Sequence, residues 1–260
     1  MTNSNSLQQL TIEPPAVPDV QSLEGTKLRI VTAAERLFAI HGIDGVTLQQ
    51  ILKGAGQRNS SAMHYHFGSR EALIEAILMW RVSKIDAHRN RMIDELLAEG
   101  RGDDIRSILA TAVIPFIRPI EESSQPSFYN RFLLEVHRSP TVSFDDIIAG
   151  KADRGIKRMN ELLLRQLDHI PAELRMTRIA TIRSMIIFAV ADIEAVRSRK
   201  LKETGAFNFD RAVENLIDMA SAAFIAPVSP QTQNRLIDMA SAAFIAPVSP
   251  QTRSRLTGGE

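Results

Sequence analysis

The segment from Val46 to Leu73, VTLQQILKGAGQRNSSAMHYHFGSREAL, reads as two short helices joined by a tight turn, and it constrains this chain more than any other stretch. Thr47 and Gln50 have the spacing of a reciprocal capping box, with Val46 outside and Ile51 one turn inside as a hydrophobic staple. The first helix runs through Leu52 to Gly54, and Ala55-Gly56 supplies the small residue and permissive backbone of a sharp helix-to-helix turn. The second helix carries Arg58, Asn59, Ser60, Ser61, His64 and Tyr65, with only Ala62 and Met63 as apolar anchors. Gly68 and Ser69 end it and cap a longer helix. No Asp or Glu lies between Gly45 and Arg70, whereas Lys53, Arg58 and Arg70 are cationic, so the segment suits a phosphate backbone.

An ordinary helical hairpin also uses glycine turns, but it needs neither the polar second helix nor the missing acids. A metal site at His64 and His66 is disfavoured, because neighbours at i and i+2 do not share a helix face and no carboxylate accompanies them. No metal or cofactor is expected.

Net charge is +1 over 260 residues, so a global basic field cannot drive DNA binding and the distribution must. Residues 26–94 carry ten Lys or Arg against six Asp or Glu, while Glu13, Asp19 and Glu24 make the first 25 residues acidic. That balance argues against a nonspecific architectural DNA-binding protein. Hydrophobic content of 44% with 23% charged residues is ordinary for a globular chain. There is no cysteine, hence no disulfide framework, thiolate zinc site or cysteine nucleophile. The first residues lack the basic and apolar regions of a secretory signal and read as a flexible tail. The longest strongly apolar run, near Ser184 to Ala191, falls far short of the roughly 20 residues that cross a bilayer. A cytoplasmic protein without a membrane partner is expected.

Helical periodicity dominates and strand-like alternation is absent, so the fold is expected to be all-α. Ile30, Ala34, Leu37 and Phe38 form one stripe of a first helix ended by Gly42. Ser69 caps a helix to about residue 97, and a helix over 103–118 should kink or end at Pro115. Further helices are expected over 128–137, 144–167, 171–199 and 209–226. The seventeen residues LIDMASAAFIAPVSPQT at 216–232 recur unchanged at 236–252. A solenoid needs about three copies, so two at one end read as a tandem duplication of the last helix.

Preceded by TKLRIVTAAERLFAIHGIDG and followed by YHFGSREALIEAIL, the segment resembles the amino-terminal DNA-binding domain of the TetR family of bacterial transcriptional regulators. The resemblance covers about Thr26 to Met79. It departs from the commonest pattern by one extra residue between Gly56 and Tyr65-His66-Phe67, and by His64 where many members carry a second tyrosine. The resemblance implies a three-helix helix-turn-helix domain followed by a helical ligand-binding and dimerisation domain. The boundaries expected are a tail at 1–23, the DNA-binding domain at 24–70, the helical domain at 71–226 and the duplicated segment with its tail at 227–260.

It further implies a homodimeric repressor that binds a palindromic double-stranded operator and is released by a small-molecule effector. Arg58, Asn59, Ser60, Ser61 and His64 are the expected base readers, with Thr47, Lys53, Tyr65 and Arg70 on phosphates, and His66 and Phe67 bracing the helix junction. Met79, Trp80, Phe116, Phe128, Phe132, Met185 and Phe188 are candidates for an effector cavity, although such residues fill cores by default. The self-interface is expected on the last two helices at Ile182, Met185, Ala189, Ile193, Leu216, Ala220, Ala223 and Phe224. The competing reading is a helical ligand-binding protein or enzyme with a vestigial DNA-binding domain. The chain has no glycine-rich phosphate loop, Gly-x-Ser-x-Gly or His-Glu-x-x-His pattern to favour it.

Overall fold

Thr47 begins the second helix of the computed structural model as its spacing requires: its Oγ1 accepts from the Gln50 amide at 3.2 Å, and Gln50 Oε1 accepts from the Thr47 amide at 2.7 Å. The structure describes residues 23–57, 65–121, 126–200 and 208–235. The second copy of the repeat, the base readers Arg58, Asn59, Ser60, Ser61 and His64, and nearly all of the amino-terminal tail lie outside the described residues.

The helices in chain order are α1 (Gly25–His41), α2 (Leu48–Gly54), α3 (Arg70–Ala98), α4 (Ile105–Glu121), α5 (Tyr129–Arg138), α6 (Phe144–Ile148), α7 (Arg154–Arg165), α8 (Ala172–Lys200) and α9 (Phe209–Ile225). Residues 230–235 are also helical, and no strand occurs among the described residues. None of these helices is long and apolar enough to cross a membrane.

Two expectations are corrected. Of the kink or end expected at Pro115, the end does not occur: helix α4 continues through Pro115 and Pro119 to Glu121. Proline at 115 removes the amide that would bond the Thr111 carbonyl one turn back, and Arg89 Nε from α3 takes that carbonyl instead, at 3.1 Å. The stretch 144–167 is two helices, because Gly150 adopts φ +70°, a backbone conformation that suits glycine, and turns the chain between α6 and α7. Asp86 of α3 then receives the amide of Gly155 at 2.8 Å, which docks the first turn of α7 on α3.

Two hydrophobic cores result. One gathers Ile30, Phe38, Ile51 and Ile77 with Phe132, Leu133 and Val136 of α5, so α1 is packed on α5 as well as on α2 and α3. Phe38 and Phe132 stack with centroids 6.1 Å apart. The other gathers Ile108, Val113, Leu163, Ile186, Val190, Ile217 and Phe224 from α4, α7, α8 and α9. Helix α5 joins the two, because it packs on α8 while its first amides and the Arg131 guanidinium bond the fully buried carboxylate of Glu194 on α8, each at 3.1 Å. A carboxylate at a helix N-terminus meets both the unpaired amides and the favourable end of the dipole.

Candidate DNA interface and ligand cavity

The turn after α2 follows from Gly56, whose φ of +68° suits a residue without a Cβ, and the amides of Ala55, Gly56 and Gln57 close back on Ile51, Lys53 and Leu52. Val46 and Ile51 are both buried beneath this turn. Lys53, in the last turn of α2, is exposed, and so is Thr47. Tyr65 is 84% exposed, the most exposed of the large hydrophobic side chains among the described residues. An aromatic body with a hydroxyl tip held in solvent is suited to meeting a polar partner.

Beside it, Phe67 is buried and His66 is half-buried with its Nδ1 buried and unpartnered, which fits the bracing role expected for both. Burial, and then the charge of Lys27, hold the His66 pKa below the usual histidine range. Arg70 departs from expectation. Its Nη1 donates to the Ile43 carbonyl at 2.6 Å, its Nη2 donates to the Val46 carbonyl, and the guanidinium lies 5.9 Å from the Phe38 ring. These bonds turn Arg70 inward to pin the loop that leads into α2, so its expected phosphate contact gives way to a positioning role.

The helical domain encloses a cavity of about 70 Å³ between α3, α4, α7 and α8 and the end of α9. Of the seven residues expected to line an effector cavity, only Phe116 is on its wall. Met79 and Phe132 are buried in the first core, Trp80 packs on the edge of that core beneath Arg81 with the guanidinium 4.1 Å from its ring, and Phe128 faces Arg131 at 4.6 Å. Met185 packs against the second core, and Phe188 is 53% exposed. Methionine and aromatic content marked core rather than cavity here.

The cavity wall is aliphatic and aromatic apart from Arg89, Asn160 and Arg183. Sequence reasoning missed these three. A signal was present for Arg89, because Val82, Ile85, Arg89, Ile93 and Leu96 fall on one buried stripe of α3, and a cation on such a stripe needs a reason.

The expected self-interface is also revised. Ile182, Ile193, Leu216, Ala220 and Phe224 are buried in the chain's own second core, and Met185 and Ala189 pack against it. Only Ala223 is exposed. The exposed large apolar side chains of α8 and α9 are Met176, Phe188, Met219 and Ile225. The stripe read from the sequence is the inward one, which a helix needs whether or not it has a partner outside.

Residues 30–77 match the family model described as bacterial regulatory proteins, tetR family. No curated protein sequence matches the chain. Among solved structures, a TetR-family regulator from Streptomyces coelicolor A3 is similar at 20% identity over 76% of this chain and 94% of that one, with a TM-score of 0.31.

Proposed function

We propose that this chain, whose residues 30–77 match the tetR-family model, is a homodimeric repressor of that family that binds a palindromic operator and leaves it when a small effector enters the helical domain. The observation that carries the DNA-binding half is the geometry around the turn. A box-capped α2 ends in exposed Lys53, Tyr65 stands 84% exposed ahead of α3, and no acid interrupts Gly45 to Arg70. One such head reads only a few base pairs, so specificity is expected from two heads spaced by a two-fold axis. The exposed apolar side chains Met176 and Phe188 on α8 and Met219 on α9 support self-association through those helices.

Effector control needs a ligand that prefers the conformer whose heads do not fit the operator. A packing route for it exists in α5, where Leu133 lines the cavity and its neighbour Phe132 stacks on Phe38 of the DNA-binding domain. The test is selection of genomic or random fragments by the purified full chain, followed by competition and a salt titration. Enrichment of one inverted repeat, with binding that weakens as salt rises, is expected. Retention of fragments without a shared motif would overturn the reading.

A further inference from the structure

Arg89 is 3% exposed, and a guanidinium taken out of water needs acceptors or an opposite charge. Its Nε is used by the Thr111 carbonyl at 3.1 Å, while no ion pair or further hydrogen bond among the described residues reaches its terminal nitrogens. Asp86, one turn back on α3, acts on it only through space, since one Asp86 oxygen accepts from the Gly155 amide and the other from Asn90 Nδ2. Desolvation pulls the Arg89 pKa down to about 10, which still leaves it a cation at neutral pH.

The same cavity is lined by Arg183, whose Nη1 and Nη2 bond Asp145 at 3.0 and 3.2 Å and whose Nε is buried with no partner. Asn160 is on the wall as well, and no Asp or Glu is. Two guanidiniums with unspent donors at one apolar cavity are complementary to a planar anion with an apolar body.

We propose that this cavity is the site of a small monocarboxylic acid, its carboxylate received by Arg89 and Arg183 Nε and its hydrocarbon part held among Leu133, Ile186 and Phe224. The size sets the chain length. A cavity of about 70 Å³ is roughly half of the ~150 Å³ that accommodates benzene, so a carboxylate smaller than benzene, acetate above all, fits and an acid of benzene's size or larger does not. The proposal deepens the effector reading above by naming the ligand's chemistry, and it rests on that reading for its regulatory consequence alone.

The experiment is calorimetric titration of the full chain with acetate, with acetamide as the neutral isostere and inorganic phosphate as the anion without an apolar part. Saturable acetate binding at least tenfold tighter than either control is expected. Arg89→Met should weaken it tenfold or more while the thermal transition persists, because methionine fills the space without a stranded charge. Should that variant fail to fold, Arg183→Met at the half-buried neighbour is expected to weaken acetate severalfold. Equal binding of acetamide, saturation by phosphate alone, no saturable binding of acetate, or acetate binding unchanged in both variants would overturn the site. An acetate-loaded protein that holds its selected operator with unaltered affinity would leave the site standing and overturn effector control.

Discussion

Arg81 holds Glu35 by two hydrogen bonds of 2.8 Å, one from Nε and one from Nη2, and so fastens α1 of the DNA-binding domain to the long helix α3. The carboxylate is buried, and burial pushes its pKa above the ordinary value, a rise that the bonds and charge of Arg81 oppose. Arg81→Met removes the opposition and leaves a buried acid alone, at a cost of about 3 kcal/mol near neutral pH. The sign with pH follows from proton uptake. Between the ordinary and the raised value the folded state binds more protons than the unfolded one, so stability is present below the ordinary value and is lost as pH rises through the raised one. Urea unfolding of both proteins from pH 4 to 8 should show the gap widen with pH, and a constant gap would refute the account.

Lys53 and Arg70 should separate in DNA binding although both are cations of the same segment. Lys53→Ala is expected to lower the salt slope by roughly one and to weaken all sequences evenly. Arg70→Ala instead frees the loop that its bonds to Ile43 and Val46 hold, so it should lower thermal stability and affinity together with the salt slope unchanged. Fluorescence anisotropy across a salt series, beside thermal melts, distinguishes them.

His66 makes the domain sensitive to acid. With its pKa below the usual range, the folded state binds fewer protons than the unfolded one just under about pH 6.5. Its contribution to stability is therefore complete above that value and is lost as pH falls through the lowered one. His66→Gln should flatten this part of the stability profile. An equal acid slope in the variant would assign the effect elsewhere.

Gly155 admits no side chain. A Cβ there would lie 2.8 Å from Asp86 Oδ1, held by the bond from the Gly155 amide that docks α7, and 3.1 Å from Asn90 Nδ2, held by its bond to the other Asp86 oxygen. Gly155→Ala should cost about 1–3 kcal/mol, read as a lower urea midpoint at unchanged slope.

The first copy of the repeat is integral to the fold. Phe224 is buried, Val228 packs on the second core, and Arg178 Nη1 donates to the carbonyls of Phe224, at 2.9 Å, and Ala226. A chain ending at Thr232 should match the full length in melting temperature and in self-association by sedimentation. Dissociation to monomers would show that residues 236–252 carry the interface.

Local chemistry was legible in the sequence wherever neighbours along the chain decide it. The Thr47–Gln50 box, the Gly56 turn and the Ser69 cap, whose Oγ accepts from the Ala72 amide at 3.1 Å, all formed as their spacing required. The misreadings share a cause, namely partners distant in sequence. Pro115 reads as a candidate helix end until Arg89, 22 positions from Thr111, supplies a donor to the Thr111 carbonyl. Arg70 reads as a phosphate ligand until the carbonyls of Ile43 and Val46 occupy it. Periodicity located the apolar stripes of α8 and α9, but it assigns an inward face without saying whether the neighbour is the same chain or another.

The stacking of Phe38 on Phe132 bears on how this protein can be taken apart. The expected boundary at residue 70 cuts through one continuous core, since α1 rests on α5 some ninety residues downstream. The DNA-reading end is thus no transplantable cassette. Fused alone to a foreign partner, residues 24–70 would present Phe38 and Ile30 to water, and a chimera that keeps the reading head sound must carry α3 and α5 with it.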